Sequence, residues 1–185
     1  MNNEIKACCF TGYRPHKFSF SLTQDNIDYT TLENKLCDAV FSLPEMGCYK
    51  FFCGMASGFY LIAGETVATL KRAIGNSARV ELIAVVPFKR QEDTFKKEWQ
   101  ERYRALLKKA DKIVYISDVY TRGCYRARNE YMVDNSDIII TWYDGQNGGT
   151  AQTLRYAEKQ NKKIVNIAQE TVHEACEISP YVVEK

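Results

Sequence analysis

Short continuous apolar runs alternate along this chain with longer stretches whose apolar residues return at every third or fourth position. The runs read as strands: Ile5–Phe10, Lys50–Cys53, Val80–Val86, Lys112–Ser117, Ser136–Trp142 and Lys163–Ile167. Between them, Leu32, Leu36, Val40 and Leu43 mark one amphipathic helix. Phe59, Ile62, Ala63, Val67 and Leu70 mark a second, opening near Ser57. The third helix is expected over 93–110, with Phe95, Trp99, Tyr103, Leu106 and Ala110 on its apolar face. Opposite that face, Asp93/Lys97, Lys97/Glu101 and Glu98/Arg102 are spaced as i,i+4 pairs. Two further helices are expected over 124–133 and from Gly149-Thr150 to about Asn161.

Strands that are apolar throughout, each followed by a helix, indicate a parallel sheet buried on both faces. The expected fold is therefore α/β: a doubly wound, mainly parallel sheet with helices on both faces, Rossmann-like, in three layers. The adjacent Cys8 and Cys9 fit this, because neighbouring strand residues point to opposite faces. With no linker or break in composition, residues 1–185 are expected to form one domain, with 169–185 as a docking tail.

Length and composition sharpen the picture. A chain of 185 residues with 45% hydrophobic residues can bury a substantial core, which excludes a disordered polypeptide. Twenty-five Lys and Arg against 23 Asp and Glu leave a net charge of +2, so general nucleic-acid or membrane binding is not expected. No apolar run approaches the ~20 residues that span a bilayer, and the first strand begins too early for a signal peptide. A cytoplasmic location follows as the expectation. The seven cysteines show no C-x-x-C spacing and only His16 and His173 accompany them, so no metal site is expected. They read as small buried hydrophobes, and a catalytic thiol at Cys53 or Cys124 has no His partner nearby in sequence.

The candidate chemistry lies in three glycine-bearing loops, each directly after a strand: Thr11-Gly12, Gly54-Met55-Ala56-Ser57-Gly58, and Gly145 through Thr150. In a doubly wound sheet these loops share the edge where ligands bind. The helix after each loop offers unpaired N–H groups to an anion. Ser57 and Thr150 stand where an N-cap, or a hydroxyl donor to phosphate, would be. G-x-G-x-x-G is absent after the first strand, so a standard dinucleotide fingerprint is missing, and G-x-x-x-x-G-K-[ST] is absent too, which disfavours a P-loop NTPase.

Four segments, in this order, resemble one family. They are Thr11-Gly12-Tyr13-Arg14-Pro15; Gly54-Met55-Ala56-Ser57-Gly58 with Ala63-Gly64-Glu65; Gly123-Cys124 through Arg128-Asn129-Glu130-Tyr131-Met132-Val133-Asp134; and Tyr143-Asp144-Gly145 with Gly148-Gly149-Thr150-Ala151. Together they are similar to the YpsA-like family of the SLOG superfamily, to which DprA (Smf) and the LOG phosphoribohydrolases also belong. The resemblance spans residues 5–168. It implies a Rossmann-like domain that senses or processes a nucleotide-derived ligand of the ADP-ribose, NAD or AMP type, with a role linked to cell division or stress. No resident cofactor is implied.

Carried over position by position, the resemblance assigns the ligand site to Thr11, Gly12 and Arg14; to Gly54, Ala56, Ser57, Gly58 and Glu65; and to Asp144, Gly145, Gly148, Gly149 and Thr150. Two departures bear on the chemistry. Phe59-Tyr60 stands where the family often has an acidic residue, and Thr153 stands where LOG enzymes carry their catalytic Glu. The latter favours a sensor or regulator over a phosphoribohydrolase, for which Glu65 and Asp144 remain the candidate acids. DprA-like binding of single-stranded DNA is the third reading, with the near-neutral charge against it. Arg14 reads as a phosphate clamp or a turn residue beside Pro15. Glu65 reads as a ribose acceptor, or as the partner of a neighbouring helix. Arg126 and Arg128, with Tyr125 and Tyr131, read as a lid over the ligand or as a helix surface paired with Glu130. A protein partner or a second copy of the chain is compatible with the twelve tyrosines.

Overall fold

The structure, a computed structural model, describes residues 6–75 and 79–169. Ile5, His173, Cys176 and all of the expected docking tail except Gln169 lie outside the described residues. Six strands alternate with five helices: β1 (Ala7–Gly12), α1 (Ile27–Phe41), β2 (Lys50–Cys53), α2 (Phe59–Ile74), β3 (Glu81–Val86), α3 (Lys97–Leu107), β4 (Lys112–Tyr115), α4 (Cys124–Asp134), β5 (Ile138–Trp142), α5 (Gly149–Lys159) and β6 (Lys163–Asn166).

All pairings are parallel, in the order β4-β3-β2-β1-β5-β6. The chain winds outward from β1 to β4, then returns to lay β5 against the other side of β1. Right-handed crossovers in two opposite directions place helices on opposite faces. Accordingly α1 packs on α2 and α2 on α3, while α4 packs on α5. The expected doubly wound α/β architecture is the one observed.

The core follows the apolar pattern. Leu32, Leu36 and Val40 of α1 are fully buried, and so are Cys8, Cys9 and Phe10 of β1. Asn26 caps α1 by accepting from the backbone N–H groups of Asp28 and Tyr29.

The clearest departure from the expected elements is in the third helix. Residues Gln91–Thr94 form a 3-10 turn, and Phe95 and Lys96 are extended before α3 begins. The Gln100 side-chain amide donates to the Phe95 carbonyl at 3.0 Å, holding that break. The expected i,i+4 pairs are not among the ion pairs of the described residues. Asp93 pairs with Arg90 at 2.7 Å, and Arg102 turns away from Glu98 to Glu65 of α2.

Candidate functional site

The order of the strands determines where a ligand can enter. β1 and β5 are neighbours whose following connections depart in opposite directions, which opens a crevice at their C-terminal ends. The cavity found there has a volume of about 180 Å³. Gly12 lines it from the end of β1, Arg14 and Lys17 from the segment that follows, Gly149 and Thr150 from the start of α5, and Tyr60 and Arg128 from α2 and α4.

Local sequence explains how these groups are held. Gly58 has a φ of +86°, and a Cβ there would meet the Tyr13 carbonyl at 2.5 Å. The turn lets that carbonyl accept from the Phe59 N–H at 3.0 Å, which ties the first loop to α2. Tyr13 is itself buried, and its hydroxyl donates to the Asp144 carboxylate while accepting from the Gln146 N–H at 3.2 Å. One phenol thus fastens the loop after β5 to the loop after β1. Burial resists the charge on Asp144, but hydrogen bonds from Tyr13 and Gln146 outweigh it and hold the carboxyl below its usual range.

Arg128 is the central side chain. It is 2% exposed, its Nη1 donates to the Gly54 carbonyl, and its Nε donates to Asn129 Oδ1 at 2.7 Å. The guanidinium lies over the Tyr60 ring, 4.7 Å from its centroid. Gly54 leaves the room for it, because a Cβ at that position would collide with both Arg128 and the Tyr60 ring. Burial above all, and then the charge of nearby Arg14, pull the Arg128 pKa down, opposed by Tyr60. Among the described residues no carboxylate pairs with Arg128, and its Nη2 has no hydrogen-bond partner.

The other cations of the crevice are arranged alike. The Arg14 guanidinium sits 5.5 Å from the Tyr125 ring centroid and 5.9 Å from that of Phe95, and Lys17 Nζ donates to the Asn147 carbonyl at 2.9 Å. Neither is paired with a carboxylate among the described residues. The backbone N–H groups of Gly149, Thr150 and Ala151, in the first turn of α5, have no acceptor there either. The crevice is therefore a basic, donor-rich cavity of the kind that receives phosphate or carboxylate.

Not every expected residue lies in it. Glu65 forms a bidentate pair with Arg102, with Nε donating to Oε1 at 2.9 Å, and so takes the helix-partner alternative. Arg128 is buried in the crevice wall, whereas Arg126 is exposed and faces Glu130 at 3.6 Å, so the two do not form a common lid. Ser57 and Thr150 do not cap their helices, for Gly58 and Gly148 occupy the N-cap positions. Thr153 receives a hydrogen bond from Asn129 Nδ2 at 2.7 Å and donates to the Gly149 carbonyl at 2.8 Å, which steadies the first turn of α5. Cys53 is buried, donates to the Tyr60 carbonyl, and has its pKa pushed up to about 12 by burial, which makes it a poor nucleophile.

Three contributors have no counterpart among the expected residues: Tyr13, Lys17 and Asn129. Lys17 carried the one usable signal, a second cation three positions after Arg14 in the same loop. Among the described residues no helix is long and apolar enough to cross a membrane, and no cluster of His, Cys, Asp or Glu could hold a metal ion.

Comparison with known proteins adds a family. The family model YpsA, described as the YspA SLOG family, matches residues 8–174. A UPF0398 protein of Brevibacillus brevis is 32% identical over 155 residues, covering 81% of this chain and 79% of that protein. Another, from Halalkalibacterium halodurans, is 27% identical over 167 residues, covering 86% and 84%. The SPbeta prophage-derived protein YoqJ of Bacillus subtilis is 29% identical over 123 residues, covering 60% and 70%. Among solved structures, DNA processing protein A of Helicobacter pylori, described for its single-stranded DNA binding mode, aligns with a TM-score of 0.57 at 17% identity. The Streptococcus pneumoniae counterpart aligns at 0.55 and 13%. The alignments cover 88% and 86% of this chain, but only 65% and 49% of those two proteins, and they establish a shared fold.

Proposed function

The chain belongs to the YspA SLOG family, and from the crevice its fold builds we propose that it binds a nucleotide or nucleotide-sugar ligand, of the ADP-ribose, NAD or nucleoside monophosphate kind, as a sensor or regulator. The observation that carries this reading is the convergence of Arg14, Lys17 and Arg128, none paired with a carboxylate among the described residues, on the amino end of α5. Keeping a guanidinium buried without a counter-charge costs folding free energy that a bound anion would offset. Sensing is favoured over hydrolysis because the lining of the crevice includes neither carboxylate nor imidazole. Of the two candidate acids, Glu65 is engaged by Arg102 and Asp144 by Tyr13.

Thermal denaturation with AMP, ADP-ribose, NAD and a cyclic nucleotide, on wild type and Gly149→Glu, tests the proposal. A Cβ at Gly149 meets nothing within 4 Å, so the backbone there accepts a side chain, and the new carboxylate would repel an anion at the crevice. A ligand at ~100 times its Kd adds about 2.7 kcal/mol, a rise of roughly 5–10 °C for a chain of this size. That rise is expected with one of these compounds and is lost in Gly149→Glu. No rise with any of them overturns the reading.

Single-stranded nucleic acid is a second reading. It is favoured by the closeness of Arg14 to the Phe95 and Tyr125 rings, since cations interleaved with aromatics suit stacked bases. A labelled oligonucleotide bound with steep salt dependence would support it, and the absence of any shift at low salt would remove it.

A further inference from the structure

A second cavity, of about 410 Å³, shares Arg14 with the crevice as a lining residue. We propose that it receives the base of the nucleotide whose phosphate occupies the crevice, so that Arg14 stands between the two halves of one binding site. This rests on the crevice reading above and extends it to the part of the ligand that is recognised.

Size is the first argument. Pockets for small organic ligands run to ~300–1,000 Å³, and the crevice alone falls below that range, whereas the two cavities together lie within it. A phosphate fits the crevice; a whole nucleotide does not.

The chemistry of the walls is the second. Pro15, Phe95 and Trp99 give the outer cavity an apolar and aromatic part, Ser57 and Thr94 add two hydroxyls, and Arg14, His16 and Lys96 complete the lining. A planar heterocycle needs that combination: faces to stack on and a few polar groups for its edge. The crevice differs in gathering three cations, Arg14, Lys17 and Arg128, beside the amino end of α5, with tyrosines as its aromatic groups.

The third argument is the junction. Arg14 lines both cavities, and its guanidinium lies near Phe95 of the outer cavity and Tyr125 of the crevice. From there it can donate to a phosphate while its stem borders the base. The break before α3 serves the same end. Extended backbone at Phe95 and Lys96 brings both residues into the cavity wall, where a helix continuous over 93–110 was expected from the sequence.

Calorimetric titration with AMP, GMP, CMP, UMP and ribose 5-phosphate separates the two halves. For the wild type, at least one nucleotide is expected to bind ten times or more tightly than ribose 5-phosphate, and to change the Trp99 fluorescence in a Trp142→Phe background. Thr94→Trp places bulk at an exposed position of the outer cavity. It is expected to abolish the nucleotide's advantage and leave ribose 5-phosphate binding unchanged, while Arg128→Met weakens both. Nucleotides binding no better than ribose 5-phosphate, or keeping their advantage in a folded Thr94→Trp, overturn the base site and leave the crevice standing. Failure of all five compounds, and of ADP-ribose and NAD alongside them, on wild type overturns both.

Discussion

Two sets of cations in this molecule are treated in opposite ways. In the layer formed by α2 and α3, two cations meet carboxylates: Arg102 of α3 meets Glu65 of α2, and Lys71 of α2 meets Asp111, just before β4, at 2.5 Å. At the crevice, Arg14, Lys17 and Arg128 meet carbonyls and rings instead. The helix pairs are satisfied within the fold and have nothing left to offer a ligand. The crevice cations are oriented but not neutralised, which is the condition for a charge to act on something that arrives from outside.

Arg128→Met puts this contrast under the greatest strain. Ligand affinity is expected to fall by about 100-fold, in line with the ~2–5 kcal/mol lost when a desolvated charge partner is removed. The ligand-free protein should change little in stability, because losing a buried unpaired charge offsets the orphaned Gly54 carbonyl. Isothermal titration and urea unfolding on the same variant measure both halves. A large loss of stability together with unchanged affinity would make Arg128 a structural residue.

Gly54→Ala attacks the seat of that arginine. Its Cβ would meet the Tyr60 ring at 2.8 Å, and overpacking of this kind costs ~1–3 kcal/mol, read as a lower urea midpoint. Affinity should fall as well, since Arg128 must shift.

Glu65→Gln is the converse test, made in the helix layer. The pair is about one-third exposed, so the expected cost is no more than about 1 kcal/mol, with ligand affinity unaltered. Loss of binding in this variant would restore Glu65 to the site.

Asp144 gives the smallest effect. Its folded pKa lies below the usual carboxylate value, so its contribution is present above about pH 4 and disappears as pH falls through the folded value. Asp144→Asn should lower Tm at pH 7 by no more than about 2 °C and weaken the acid-side dependence. An unchanged acid limb would show that the Tyr13 tether adds nothing to stability.

Much of the architecture is legible in the residue pattern. Leu32, Leu36 and Val40 mark their helix by spacing, and Cys8 beside Cys9 marks a strand buried on both sides, because periodicity is a local property that burial imposes directly. The break at Phe95 is not legible in this way: the apolar spacing runs straight through it, and only Gln100 folding back on the Phe95 carbonyl reveals it.

The candidate site divides along the same line. Its glycine-bearing loops and Arg14 stand out in the chain, since Gly58 answers a local need, a positive φ at the turn into α2. Whether a given polar side chain points into the crevice is not a local property. Arg126 and Arg128 are two residues apart on one helix, and a rotation of about 200° along the helix sends one to solvent and the other beneath Gly54. Glu65 shares a face with Gly58, yet a neighbouring helix claims it. The alternation of strands and helices, and the loops that end the strands, were thus contained in the order of the residues. Which cations met carboxylates and which remained available to a ligand was settled by packing, because it depends on side chains brought together from distant parts of the chain.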